Sequence, residues 1–275
     1  MFIEAGLFKK FCKIANEKAG ISLNDNKQAL VTARVAKRLR ILKMGTAREY
    51  MHYLQADESG EELIHFLDAI STNFTSFMRE PEHFDILGRE VKQWMNTGRQ
   101  RIRLWCAASS SGEEPYSIVI TVLDTLDGHS MDFKLLATDI STKVLGIAQK
   151  GVYTGDTVRP LTKGQRLKYL NRLTPRSAEE QIFEVKPEVR KRIVYKRLNL
   201  AKPPFPMQGP LDGVMCRNVM IYFDKAVRQG LVSEAERLLR PGAFLMTGHS
   251  ETLTGIQSSF QVVKPSIYRK PMNTN

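Results

Sequence analysis

Between residues 107 and 117 the chain reads Ala107-Ala108-Ser109-Ser110-Ser111-Gly112-Glu113-Glu114-Pro115-Tyr116-Ser117. Small side chains and a glycine leave room for a ligand to approach the backbone, and Pro115 suits the opening of a helix behind the loop. The loop is not the dinucleotide G-x-G-x-x-G fingerprint. It has a single glycine, and two acids stand where a pyrophosphate needs neutral or basic surroundings. A cationic ligand fits better. S-adenosylmethionine carries a sulfonium and an ammonium group, and Glu113 or Glu114 beside it is electrostatically favourable. The same acids also suit a solvated helix N-terminus, through the helix dipole.

Two further positions carry polar chemistry at the ends of apolar runs. Asp139 closes the run that begins at Phe133. An acid there can accept hydrogen bonds from both hydroxyls of a ribose, or it can cap a following helix, a task Ser141 could take instead. Arg217 and Asn218 directly follow the apolar run Leu211–Cys216, where a polar turn at a strand edge is the plainer alternative.

These positions become a site only if the elements place them on one edge. Residues 1–95 read as helices. Phe8, Phe11 and Ile14 form an apolar stripe over 3–19, with Gly20 as the stop. A second helix, capped by Asn24 or Asp25, runs to about Met44 and ends at Gly45. It aligns Val31, Val35, Leu39 and Leu42 on one face, and Lys27, Arg34, Lys37, Arg38, Arg40 and Lys43 elsewhere, against Asp25 alone. Thr46 caps the next helix. Another covers about 59–71, and Pro81 opens one that reaches about Met95.

The turn Asn96-Thr97-Gly98 marks a boundary, and the pattern then changes. Strands at 102–107, 133–140, 192–198, 211–216 and 243–247 alternate with helices at 115–126, 141–150 and 224–240. A hairpin, 259–263 with 266–269, ends the run. This alternation predicts a mostly parallel sheet, and ligands of such sheets bind at the carboxyl ends of the strands. The Lys- and Arg-rich stretch 153–191 breaks the rhythm and is expected to hold a small antiparallel insertion.

Composition narrows the partners. The chain has 275 residues, 42% hydrophobic and 25% charged, ordinary for a globular protein with a sizeable core. A net charge of +12 favours an acidic partner without choosing its class. Cys12, Cys106 and Cys216 are widely spaced with no CxxC, which reads as reduced, buried thiols in a cytosolic protein. The N-terminus lacks the pattern of a signal peptide, and no apolar run approaches a membrane span.

Several segments together resemble the chemotaxis receptor methyltransferases, the CheR family. They are Ser71-Thr72-Asn73-Phe74-Thr75-Ser76-Phe77-Met78-Arg79-Glu80, the run Gly112–Ser117, Ala137-Thr138-Asp139-Ile140, Cys216-Arg217-Asn218-Val219-Met220-Ile221-Tyr222-Phe223-Asp224, and Gly248-His249-Ser250-Glu251. The resemblance spans nearly the whole chain. It implies a helical N-terminal domain, 1–95, and a class I (Rossmann-like) methyltransferase domain, 96–275. A small antiparallel β-subdomain is inserted around 165–192. It also implies S-adenosylmethionine as cofactor, with S-adenosylhomocysteine as product. The implied cofactor contacts are Asn73, Thr75, Arg79, Glu114, Asp139, Asn199, Leu200, Arg217 and Asn218. Arg79 and Tyr222 match residues near the transferred methyl group. One departure concerns the tether to a receptor's C-terminal peptide, which some members make through a glycine-containing loop. The matching stretch, 171–180, has no glycine.

The implied activity is O-methylation of glutamate side chains on the cytoplasmic helical region of chemoreceptors. A glutamate carboxylate is ionised near neutral pH and needs no general base. Arg79 is expected to orient it, while His249 is assigned to structure. The basic helix, through Arg34, Lys37 and Arg38, is expected to dock the acidic receptor helices. Neither metal, nucleic acid nor membrane insertion is expected, and the protein should be cytoplasmic, recruited to membrane-bound receptor arrays. An RNA methyltransferase suits the charge, but the chain lacks the (D/N)PP(Y/F) tetrad of amine methylation. A non-catalytic cofactor sensor could dispense with Arg79 or Tyr222, and both are present.

Overall fold

Phe8, Phe11 and Ala15 recur at three- and four-residue spacing, and α1 (Ala5–Ala19) forms on this stripe and buries it. Gly20, at φ 68°, ends the helix in the left-handed conformation that glycine adopts freely. The structure is a computed structural model that describes residues 3–71, 74–173 and 180–272. A 3-10 turn, Asp25–Lys27, leads into α2 (Gln28–Leu42), and neither Asn24 nor Asp25 makes the expected side-chain cap. The helix ends at Lys43, itself left-handed at φ 56°, before the expected stop at Gly45. The hydroxyl of Thr46 accepts the Glu49 amide and caps α3 (Ala47–Ala56), and α4 (Glu61–Ile70) follows. These helices share one core around Phe11, Val31, Val35, Tyr50 and Phe66.

α5 (Pro81–Asn96) begins with Pro81 in its first turn, as expected. Its packing corrects the expected boundary at residue 96. Phe84, Leu87, Val91 and Trp94 are buried in the core of the sheet rather than with the first four helices. Trp94 stacks on Phe244 of the sheet, with ring centres 6.2 Å apart. The two cores therefore part ahead of Pro81. Periodicity shows that α5 has an apolar face; it does not say which core receives that face.

Beyond it come β1 (Arg101–Cys106), α6 (Glu113–Leu126), β2 (Asp132–Asp139) and α7 (Thr142–Lys150). The insertion holds β3 (Val152–Thr154), α8 (Gly155–Val158), α9 (Lys163–Tyr169), β4 (Leu170–Leu173) and β5 (Ile182–Val185). Then follow α10 (Pro187–Arg190), β6 (Ile193–Arg197), β7 (Leu211–Cys216), α11 (Lys225–Leu238), β8 (Leu239–Thr247), β9 (Gln261–Lys264) and β10 (Ile267–Arg269).

Seven strands form one sheet in the order β6-β2-β1-β7-β8-β10-β9. The pairs from β6 through β8 are parallel, and β10 runs antiparallel between β8 and β9. From β1 the chain steps outward to β2 and β6, then returns to β7 on the other side, which opens a crevice at the carboxyl ends. Side chains alternate across β1. Ile102, Leu104 and Cys106 enter the core shared with α5 and α6, while Trp105 enters the opposite core with Leu231, Ala235 and Leu238 of α11.

The insertion is a three-stranded antiparallel sheet, β3-β5-β4. Its first strand precedes the expected start near 165, because Val152–Thr154 pairs with Ile182–Glu184. Residues 174–179 of the glycine-free stretch lie outside the described residues.

Candidate cofactor and methyl-transfer site

The carboxyl ends of β1, β2, β6 and β7 open into a cavity of about 1020 Å³, its mouth included. Thr75, Arg79, Glu114, Asp139, Asn199, Leu200, Arg217, Asn218 and Tyr222 all line it. Nine side chains expected from separate segments are thus brought to one place. Asn73 lies outside the described residues.

The loop after β1 turns its two acids in different directions. Glu114 lines the cavity, whereas Glu113 is buried beside it, accepting the Ser111 hydroxyl at 2.7 Å. Gly112 has a packing role rather than the expected one of admitting a ligand. At φ 103°, a Cβ there would stand 2.6 Å from the Tyr153 hydroxyl and 2.8 Å from Ala148 Cβ. Ala107, Ala108 and Ser110 line the cavity instead.

At the end of β2, Asp139 accepts the Ser110 amide at 2.9 Å and the Ser141 amide at 3.0 Å. Ser141 caps α7 by accepting the Val144 amide, which leaves Asp139 facing the cavity. Burial pushes the carboxyl groups of both Glu114 and Asp139 up from the ordinary range, although Arg217 pulls Glu114 down and backbone amides pull Asp139 down.

Arg217, fully buried at the end of β7, organises the centre. It pairs with Glu114 and Glu80 at 3.0 Å each, donates to the Arg79 carbonyl, and covers the Phe84 ring at 5.4 Å. Glu80 also accepts Asn218 Nδ2 at 3.1 Å and the His249 amide at 3.3 Å. Burial raises its pKa, but Asn218 and Arg217 together bring it below the usual carboxylate value. Glu80 and Glu114 flank the Arg217 guanidinium, and the cavity wall sets the acids Glu114 and Asp139 beside the cations Lys27, Arg79 and Arg217.

Asn218 sits at φ 57°, and Glu251 braces this turn. Its buried carboxylate accepts the amides of Asn218 at 2.9 Å, Gly248 at 2.6 Å and Ile221 at 3.3 Å. The 3-10 turn Met220–Tyr222 then carries Tyr222 to the cavity. Arg79 donates to the Phe74 carbonyl at 2.9 Å and lies over that ring at 5.7 Å.

Sequence reasoning missed Glu80 as the shared partner of Arg217 and Asn218, and Glu251 as the brace, though both stand inside motifs it singled out. It had no signal for Ala19, Ile21, Ser22, Leu23 and Lys27, which also line the cavity. Glu80, His83 and His249 bring potential ligand atoms within 4.8 Å of one another. The Glu80 oxygens are taken by Arg217, Asn218 and the His249 amide, so this cluster belongs to the Arg217 network. The ring of His249 packs edge-on against buried His83 at 4.9 Å.

The basic helix needs correction. Arg34 and Lys37 are exposed. Arg38 is not available for docking, because it forms a two-point pair with buried Glu62, at 2.9 and 2.6 Å. The Tyr50 hydroxyl donates to the same carboxylate at 2.6 Å. Cys106 and Cys216 are buried free thiols, pushed well up by burial, and Cys12 is half-buried.

A sheet with this strand order, an antiparallel β10 and a crevice at its carboxyl edge lined by Glu114, Asp139 and Arg217 define a class I methyltransferase domain, here preceded by a helical one. The model of the CheR methyltransferase all-alpha domain matches residues 7–71, and that of the CheR methyltransferase SAM binding domain matches 73–269. The chain is 35% identical to a chemotaxis protein methyltransferase of Borreliella burgdorferi, over 95% of this chain and 93% of that protein. It is 34% identical to those of Salmonella typhimurium and Escherichia coli, over 95% of this chain and 88% and 89% of theirs. The chain belongs to the CheR methyltransferase family. It is a methyltransferase that uses S-adenosylmethionine. No described helix is long and apolar enough to cross a membrane.

Proposed function

We propose that the protein methylates glutamate side chains on the cytoplasmic helical region of chemoreceptors, leaving S-adenosylhomocysteine, and that it acts in the cytoplasm at receptor arrays. The observation that carries this reading is that Arg79 and Tyr222 line the same cavity as Glu114 and Asp139. A group that binds carboxylates and a ring with a hydroxyl stand beside acids suited to a cationic nucleoside.

When bound, the cofactor supplies an electrophilic methyl group on a sulfonium. Glu114 balances the positive end of the cofactor, and Asp139 accepts from the ribose hydroxyls. Thr75, Asn199, Leu200, Arg217 and Asn218 complete the cofactor contacts, together with Asn73. Arg79 orients the incoming carboxylate by its planar fork, and Tyr222 lines the methyl path. The acceptor arrives ionised, so no residue needs to remove a proton. Rate enhancement then comes from alignment and exclusion of water. On α2, exposed Arg34 and Lys37 complement the acidic acceptor helices, with Arg40 adding charge.

The test is incubation with cofactor and receptor cytoplasmic fragments, read by mass spectrometry for base-labile methyl esters on glutamate. Methylated RNA without methylated receptor would overturn the proposal. At saturating cofactor, Arg79→Ala should lose about a hundredfold or more in turnover, as expected when a positioning contact is removed. Unchanged turnover would rule out the Arg79 role.

A further inference from the structure

Past Gly20 the chain runs along the carboxyl edge of the sheet, with Ile21 still buried in the helical core. Asn199 donates through Nδ2 to the Lys18 carbonyl at 2.6 Å. The Ser22 amide donates to the Tyr222 carbonyl at 2.7 Å, and Ile21 forms an antiparallel bridge with Phe223. Asn16 Nδ2 reaches Asp224 Oδ2 at 3.4 Å. Ala19, Ile21, Ser22 and Leu23 face the cavity. Two of these anchor points, Asn199 and Tyr222, are themselves candidate site residues.

We infer that the turn Lys18–Leu23 is a positioning element of the methyl-transfer site, holding Asn199 and Tyr222 in place and walling the cofactor cavity from the helical side. The inference rests on the reading of that cavity as the cofactor site. It goes beyond that reading by making cofactor affinity depend on a contact between the two cores.

Gly20 is the point where the contact is tightest. Its φ of 68° disfavours any side chain, and an added Cβ would stand 2.6 Å from Ala201 Cβ and 3.2 Å from the Val227 methyls. Ala201 follows the cavity residues Asn199 and Leu200 directly. A side chain at Gly20 must therefore push the turn off the loop that carries them. Gly60 provides the matched control. Its φ and ψ are 71° and 7°, against 68° and 8° at Gly20, and nothing lies within 4 Å of a Cβ there. Alanine meets the same backbone strain at both positions and the clash at only one.

The experiment is calorimetric titration of S-adenosylhomocysteine into the full chain as wild type, Gly20→Ala, Gly60→Ala and the double variant Gly20→Ala/Ala201→Gly. Gly20→Ala should weaken binding about tenfold, the consequence of a misplaced wall at constant backbone strain. Gly60→Ala should stay within about twofold, and Ala201→Gly should restore most of the loss by removing the opposing methyl group. Equal binding by Gly20→Ala and Gly60→Ala, or no rescue by Ala201→Gly, would overturn the inference. A wild type that binds no S-adenosylhomocysteine would instead sink the cofactor reading, and this inference with it.

Ser22→Pro is the second variant, since it removes the amide that donates to Tyr222 and fixes the local φ. Methyl transfer to receptor fragments should fall about tenfold in kcat, with cofactor affinity changed less, because the lost contact orients Tyr222. An unchanged kcat in a folded Ser22→Pro protein counts against the positioning role.

Discussion

At the scale of single residues, Glu114 shows how burial and charge set a function together. Its carboxyl is pushed up by burial and pulled back by Arg217 3.0 Å away. The ammonium group shared by S-adenosylmethionine and S-adenosylhomocysteine pairs with the ionised form, so affinity is complete above the raised pKa and is lost as pH falls through it. That loss should begin at a higher pH than ordinary carboxylates produce. Titrations of S-adenosylhomocysteine across the acid range should show this decline in the wild type and a flatter one in Glu114→Gln, with weaker binding throughout. Parallel pH profiles in the two proteins would remove Glu114 from the cofactor contacts. Its neighbour Glu113 carries the same charge and is just as buried, yet it faces the Ser111 hydroxyl. The difference is the phase of α6, on which successive side chains point about 100° apart.

At the scale of elements, α2 carries two kinds of basic residue that look alike in the sequence. Arg34 and Lys37 project into solvent, where they can steer an acidic partner. Arg38 closes the helical core through Glu62 and Tyr50. Reversing Arg34 and Lys37 together should raise KM for receptor fragments and flatten its salt dependence, while the melting curve stays within about 0.5 kcal/mol of wild type. Arg38→Glu should instead cost about 3 kcal/mol of stability, because it leaves a buried carboxylate facing another. Chemical denaturation of both variants, beside methylation kinetics, separates the cases. A stable Arg38→Glu protein would show that the pair is dispensable.

At the scale of the whole molecule, His83 lies where α5, the turn before β10 and the Arg217 network meet. Its Nε2 is 2.9 Å from the Ser266 hydroxyl, and its Nδ1 is 3.4 Å from Glu80. Burial, and then the charge of Arg217, lower its pKa to about 4 from 6.5, with His249 acting in the same direction and Glu80 and Glu82 opposing. The folded protein holds this ring neutral while the unfolded chain protonates it. Stability is therefore full above pH 6.5 and falls as pH drops toward about 4. The loss between pH 7 and pH 5 should be about 2 kcal/mol from this group alone. Urea unfolding at both pH values should show a smaller acid loss in His83→Gln than in wild type. Equal losses would place the acid sensitivity elsewhere.

The sequence by itself determined most of the elements and the edge on which they meet. Helical and strand periods, the Thr46 and Ser141 caps, Pro81 and Gly20 are local signals, and an alternating β/α order directs any ligand to the strands' carboxyl ends. Acids and asparagines placed just after apolar runs therefore fall at that edge, where they line one cavity. Tertiary structure alone decided which of two adjacent acids turns inward, which arginine of a basic helix is spent on the core, and which core receives α5. It also decided that a turn from the helical domain forms a wall of the cavity. Each of these depends on partners distant along the chain: Arg38 on Glu62, Trp94 on Phe244, Ser22 on Tyr222, Gly20 on Ala201. Periodicity describes what a segment buries; only packing selects what it is buried against.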